Sequence, residues 1–231
     1  MTPSDLYLQA TINRHLDPDS PIPAHLLRRL RPQLQSWSSA HLESVTISGS
    51  HAKATALRGS DIDLFLSLAP STPAPLAAIQ PSLAAHFRYY SPEIRNVSVR
   101  IRLDGHAIDL VPGRRRENST AHTLWQSRQN TWIQADITEQ IRRVRTSGLQ
   151  NEIRALKIWA QRNSLRFPSF VQEQAVFQAV TPGHPISESF LEILHLLAAS
   201  FPHESLTPQD QDRISQAARK SITSPTWPEI L

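Results

Sequence analysis

The chain has 231 residues, 39 % of them apolar, enough to bury a core of its own, and no cysteine, which excludes a disulfide framework and a thiolate metal site. Its formal charge is +4 and its pI about 9.9; residues 100–166 hold thirteen Lys/Arg against six Asp/Glu, so an anionic partner is expected for the middle of the chain. No apolar run approaches the length of a membrane span, and Met1-Thr2-Pro3-Ser4-Asp5 lacks the basic and apolar regions of a signal peptide, so a cytoplasmic protein with no membrane partner is expected.

Leu8 and Ile12, then Leu26, Leu27, Leu30 and Leu34, recur at helical spacing, which predicts helices over 4–16 and 23–38, the second kinked or split by Pro32. Arg28, Arg29 and Arg31 belong to its solvated side. Val45 to Ser48 alternate as a half-buried strand does, and Gly49-Ser50 then turns into a short Ala-rich helical stretch. Glycine lets backbone N–H groups approach a ligand closely, Ser50 can cap the helix, and Lys53 adds a cation one turn on, so the turn reads as a phosphate cradle. A second strand follows, with Ile62, Leu64, Leu66 and Leu68 on one face and Asp61, Asp63, Phe65 and Ser67 on the other. Two carboxylates on one face, in front of a phosphate cradle, can hold divalent cations through hard oxygen ligands.

Pro70 to Pro75 is a loop that opens a helix to about Phe87, and Tyr90-Ser91-Pro92 is a turn. Asp104-Gly105 between two alternating runs signals a two-residue hairpin, pairing Leu103 with His106, Ile101 with Ile108 and Val99 with Leu110 on the apolar face. The other face then pairs Arg100 with Asp109. Asp109 is therefore either a cross-strand ion-pair partner or a carboxylate free to serve a site. Val111-Pro112-Gly113 ends the strand, and Arg114, Arg115 and Arg116 enter a polar stretch to about Gln134, in which Trp125 and Trp132 cover a lobe junction or act as base-stacking platforms.

From Ile137 the period is helical: Ile137, Ile141 and Val144 form one stripe, then Leu149, Ile153, Leu156 and Ala160 a second, with Lys157 at its edge as a snorkelling or ligand-binding lysine. Helices over 186–199 and 209–220 follow, and 223–231, with Pro225 and Pro228, is a tail. The ten histidines show no metal-ligand spacing among themselves.

Gly49-Ser50 followed by Asp61-x-Asp63 resembles the signature of the DNA polymerase β-type nucleotidyltransferase superfamily. This superfamily includes CCA-adding enzymes, poly(A) polymerases, oligoadenylate and cyclic-oligonucleotide synthases and aminoglycoside nucleotidyltransferases. Ala54 stands where many members have glycine, and Gly59-Ser60-Asp61 is one residue tighter than the Gly-x-Ser-Asp of some branches. The resemblance covers roughly 40–180 and implies an α/β (α+β) architecture. A nucleotidyltransferase lobe with a mixed twisted sheet (1–136) is followed by an α-helical nucleotide- and acceptor-binding lobe (137–231). It also implies that Asp109 is the third carboxylate, that Asp61, Asp63 and Asp109 are catalytic and hold two Mg²⁺ (or Mn²⁺), and that Gly49, Ser50 and Lys53 hold the nucleotide. The segment from Ile153 to Ala160, with Arg166-Phe167-Pro168-Ser169-Phe170 beyond, resembles the start of the helical lobe in CCA-adding, oligoadenylate and cyclic-oligonucleotide synthases, which adds Lys157 and Ser169 to the nucleotide site. The implied reaction moves an NMP from an NTP, ATP favoured, to a hydroxyl of an RNA 3′ end or another nucleotide, with Arg114, Arg115, Arg116, Arg142 and Arg143 free to follow a polyanion. The alternatives are a second-messenger synthase of bacterial antiviral type and a non-catalytic nucleotide- or RNA-binding module that kept the fold.

Overall fold

The computed structural model describes residues 1–16, 22–224 and 226–231. The chain divides into two compact units, and the division is not the single cut expected after residue 136. A sheet unit comprises Pro18–Ala54 and Gly59–Arg143, and a helical unit comprises Met1–Asp17, Thr55–Arg58 and Val144–Leu231. The cause is the first helix, α1 (Pro3–His15): Leu8 and Ile12 are fully buried in the core of the helical unit, where Leu57 also packs.

In the sheet unit α2 (Ala24–Trp37) buries Leu26, Leu30 and Leu34. It is not split at Pro32: that ring is exposed and so is Arg28, whose carbonyl lost a donor and can be met by water. Then come β1 (Leu42–Ser48), the one-turn α3 (Gly49–Ala52), β2 (Ile62–Leu68), α4 (Leu76–His86), the two-residue β3 (Glu93–Ile94), β4 (Val99–Leu103) and β5 (His106–Arg115). The sheet runs β1-β2-β5-β4-β3, with β2 and β5 parallel and the other neighbours antiparallel. The Asp104-Gly105 hairpin takes the expected register, with Leu103 opposite His106, Ile101 opposite Ile108 and Arg100 opposite Asp109. One face of this sheet packs Leu64, Leu66, Ile101, Ile108 and Leu110 against α2 and α4.

The stretch read as polar, for which no strands were expected, holds two more of them, β6 (His122–Gln126) and β7 (Thr131–Ala135). β5 does not stop at Pro112-Gly113. Pairing with β4 ends at Leu110 and pairing with β6 begins at Arg114, so on that side no ladder partner is lost to the missing N–H of Pro112. Gly113 is needed because a Cβ there would lie 2.8 Å from the Phe65 ring, which stacks edge-on against His122 at 4.7 Å. Beneath β6 a polar chain ties four strands together: Arg115 donates to both oxygens of Glu43, Ser67 Oγ donates to Glu43 Oε2 at 3.2 Å, and His122 Nε2 lies 2.8 Å from Ser67 Oγ. Burial pushes the His122 imidazole below its ordinary pKa, and with the Ser67 proton given to Glu43 its Nε2 is the donor to Ser67 Oγ. Trp125 and Trp132 form a cross-strand pair on the β6–β7 ribbon.

The chain then enters α5 (Ile137–Thr146), and the helical unit adds α6 (Gln150–Arg162), α7 (Ser169–Ala179), α8 (Ile186–Ala199), α9 (Pro208–Ile222) and α10 (Trp227–Ile230). Trp159 is fully buried at their centre, and its Nε1 donates to Ser221 Oγ at 2.9 Å. The expected tail is packed instead: Ile230 and Leu231 are buried, and Tyr7 Oη donates to the Leu231 carbonyl at 2.8 Å, while Pro225 lies outside the described residues. Among the described residues no helix is long and apolar enough to cross a membrane.

Asp5 fastens α1 to α8. One carboxylate oxygen closes a capping box with Thr2 and the other accepts from Ser187 N at 3.0 Å and Ser187 Oγ at 2.7 Å. These donors, the Ser187 hydroxyl first, hold Asp5 far below the usual carboxylate range. A folded pKa below the unfolded one contributes stability that is full above the ordinary carboxylate pKa of about 3.9 and is lost as pH falls through the lowered value. Asp5→Asn is therefore expected to lower the thermal midpoint at neutral pH, with the gap to wild type narrowing below about pH 4. Midpoints measured from pH 7 to pH 2.5 check this, and a constant gap would contradict it.

Candidate active site

The site grows from one row of the sheet. Ser48 on β1 is paired with Asp63 on β2, Asp63 with Asp109 on β5, and Asp109 with Arg100 on β4. Residues in register across neighbouring strands project from the same face, so two carboxylates and a guanidinium stand side by side. Asp61, just before β2 and two residues from Asp63, completes the group.

The turn after β1 is fitted to Asp63. Gly49 has φ +58°, and a Cβ on it would lie 1.8 Å from Asp63 Oδ2, so any side chain there would collide with the carboxylate. Backbone and carboxylate are thereby held in close contact. The helix this turn opens is a single turn, with Ser48 rather than Ser50 in the capping position and no side-chain cap. Lys53 closes it, largely buried, its N–H donating to the Gly49 carbonyl at 3.1 Å. Ala54 follows with φ 56°, a left-handed conformation costing a non-glycine residue about 1 kcal/mol, at the position where many superfamily members carry glycine.

Arg100 bridges the acids. Its Nε and Nη2 donate to Asp109 Oδ1 and Oδ2 at 2.9 and 2.8 Å, and the same Nη2 donates to Asp61 Oδ2. Only 13 % of the Asp109 side chain is exposed against 39 % for Asp61, so the Asp109 bond is the more sheltered one. Asp109 first, and Asp61 after it, raise the guanidinium above its ordinary pKa. The expected cross-strand ion pair is thus formed, and it reaches one residue further than the hairpin register indicated.

Among the described residues no three His, Asp or Glu side chains converge as a metal cage; between Asp61 and Asp109 the guanidinium takes the place of the cation. The donor set still fits a hard divalent ion. It consists of carboxylates only, two of them on adjacent strands and two already gathered round a positive charge.

The remaining residues fall elsewhere. Lys157 does not snorkel: it is 7 % exposed, and its Nζ donates to Thr55 O and Oγ1 at 3.1 and 3.2 Å within the helical unit. Ser169 is the exposed first residue of α7, beside the half-exposed ring of Phe170. Nor are the arginines expected to be free for a polyanion uncommitted. Arg114 donates to the Ala74 carbonyl, Arg115 grips Glu43, Arg116 donates to Gln134 Oε1 at 2.5 Å, and Arg142 grips Glu139 one turn back. Arg143 is exposed on α5.

The description of a nucleotidyltransferase domain matches residues 27–143, which takes in every one of these carboxylates. None of the curated proteins matches the chain. Among solved structures the chain is similar to CdnC of E. coli MS115-1 with ATP, at 17 % identity and TM-score 0.66, covering 96 % of this chain and 92 % of that one. It is similar to the CD-NTase CdnG of Bradyrhizobium diazoefficiens with GTP, at 12 % identity and TM-score 0.70, covering 99 % and 95 %. It is also similar to the Cid1 poly(U) polymerase, at 10 % identity and TM-score 0.66, covering 98 % and 95 %. At such identities these likenesses establish the fold, and the domain match establishes the family: the chain belongs to the nucleotidyltransferases of the DNA polymerase β type, and it is an enzyme.

Proposed function

We propose that the chain transfers a nucleoside monophosphate from an NTP to a hydroxyl of a second nucleotide, with pyrophosphate leaving. The observation that carries the reading is the row Asp63-Asp109, flanked by Asp61 and closed by the tight Gly49 turn. Three carboxylates are costly to gather unless a cation or a reacting centre uses them. Asp61, Asp63 and Asp109 would hold Mg²⁺, which when bound supplies charge neutralisation for the triphosphate and for the departing pyrophosphate.

The residues of the chain do the rest by positioning. The bare backbone at Gly49, with Ser50 and Lys53 beyond it, offers donors to phosphate oxygens. Asp109 takes the proton of the attacking hydroxyl as that oxygen bonds to the α-phosphorus and the bond to the β-phosphate oxygen breaks. Arg100 donates to both Asp109 oxygens, which leaves each a second lone pair to accept that proton.

A nucleotide acceptor is favoured over an RNA 3′ end because Arg114, Arg115, Arg116 and Arg142 are spent on partners within the protein. RNA stands as the second reading on the local charge excess of residues 100–166. Incubating the protein with each labelled NTP and Mg²⁺, with and without RNA, and separating products by size tests both: products from NTPs alone support the proposal, and RNA extension alone rejects it.

Asp61→Asn and Asp63→Asn are expected to keep the far-UV spectrum and melting transition while lowering turnover about a hundredfold or more, the scale on which one electrostatic stabiliser acts. Gly49→Ala should lose activity comparably, because its Cβ displaces the Asp63 carboxylate. Turnover near wild type in any of the three would remove the assignment.

Asp109→Asn and Arg100→Gln separate the roles of the pair. If Asp109 only answers Arg100, each change lowers stability to a similar degree and both spare catalysis. The proposal expects Asp109→Asn to abolish turnover and Arg100→Gln to retain much of it at a lower Mg²⁺ requirement. Mg²⁺ titrations of initial rate on the two variants decide between these outcomes.

A further inference from the structure

The four residues Thr55–Arg58 belong to the helical unit, although the chain on either side of them belongs to the sheet unit. Lys53 and Ala54 come immediately before and Gly59-Ser60-Asp61 immediately after, so the segment joins the Gly49 turn to the first carboxylate of the site. It is held at three of its four residues. Thr55 is fully buried, and its carbonyl and hydroxyl oxygens both accept from Lys157 Nζ, at 3.1 and 3.2 Å. Leu57 is buried in the core of the helical unit. Arg58 N donates to the His15 carbonyl at 2.7 Å, and its Nη2 donates to the Leu16 carbonyl at 3.3 Å. Ala54 enters the segment at φ 56°, a conformation that a residue with a Cβ keeps only where its surroundings impose it.

We propose that Lys157 is a positioning residue: by fastening Thr55 it fixes the course of the chain from Lys53 to Asp61. A buried ammonium is retained where its donors are used, and at 7 % exposure Lys157 gives two of its three N–H bonds to this one residue. Lys53 lies two residues before Thr55 and Asp61 three after Arg58, and stretches that short span at most about 7 to 11 Å, so a shift of the segment is passed on to both. Without Lys157 the two Thr55 oxygens would be buried with a donor lost, and the segment would loosen at the end next to Lys53. What Lys53 and Asp61 do rests on the reaction proposed above; the fastening does not.

Hydrogen exchange of backbone amides in the full chain, without nucleotide or metal, tests the fastening independently of the proposed reaction. Lys157→Met is expected to speed exchange about tenfold or more across residues 53–61, the Arg58 amide included, while α8 and α9 exchange at the wild-type rate. Thr55→Val, which removes the hydroxyl and keeps the carbonyl, should speed the same stretch to a lesser degree, and it carries the test alone if Lys157→Met folds poorly. In turnover, both variants should lower kcat with the KM for the NTP within about twofold of wild type, whereas a lysine that only binds the triphosphate would raise KM and leave Thr55→Val unaltered. Unchanged exchange across residues 53–61 in the folded variants, an acceleration shared equally by α8 and α9, or a raised KM at unchanged kcat would each overturn the proposal. A wild type without turnover would reject the reaction, and the exchange rates would still decide the fastening.

Discussion

The site depends on the register between two parallel strands. Asp63 and Asp109 are partners because β2 and β5 align Ile62 with Ile108 and Leu64 with Leu110, and both of those pairs are buried in the core on the opposite face. A slip of one residue would turn one carboxylate into that core and bring an apolar side chain to the surface. Hydrophobic packing on one face of the sheet thus fixes the spacing of charges on the other. The same logic runs outward along the row, to Ser48 at the mouth of the Gly49 turn and to Arg100 on β4.

Placing Asp61, Asp63 and Asp109 together raises an electrostatic problem. Two like unit charges about 4 Å apart near a protein surface repel by about 4 kcal/mol. Arg100 relieves part of this by donating to two of the three. It is consequently more than a partner for Asp109: the bridge holds Asp61 and Asp109 near one another, and it competes with any other cation for their oxygens. Folding stability and the proposed metal binding draw on the same oxygens. Gly49 supplies the remaining constraint, since the absence of its side chain allows Asp63 to lie against the turn.

Much of this was legible in the sequence, for physical reasons that differ by element. Asp104-Gly105 selects one turn, and strict alternation on either side permits one register, so the Arg100-Asp109 pair could be written down residue by residue. β6 and β7 could not: β7 is exposed on both faces and has no alternation to read, and Pro112-Gly113 carries the signs of a strand end although it lies inside β5. Contacts between distant segments left no local trace. Nothing near Lys157 points to Thr55, 102 residues away, and nothing in a basic triplet shows that Arg115 will meet Glu43. The first helix showed its apolar face plainly, yet periodicity does not say which core receives it, and so the boundary between the units was misplaced.

The most direct measurement is anomalous scattering from crystals grown with Mn²⁺ and a non-hydrolysable NTP analogue. The account predicts metal density bounded by the carboxylates of Asp61, Asp63 and Asp109, triphosphate oxygens against the Gly49 turn, and the Arg100 guanidinium withdrawn from Asp61. Density for the analogue with no metal at these carboxylates, and Arg100 still bridging Asp61 and Asp109, would contradict it.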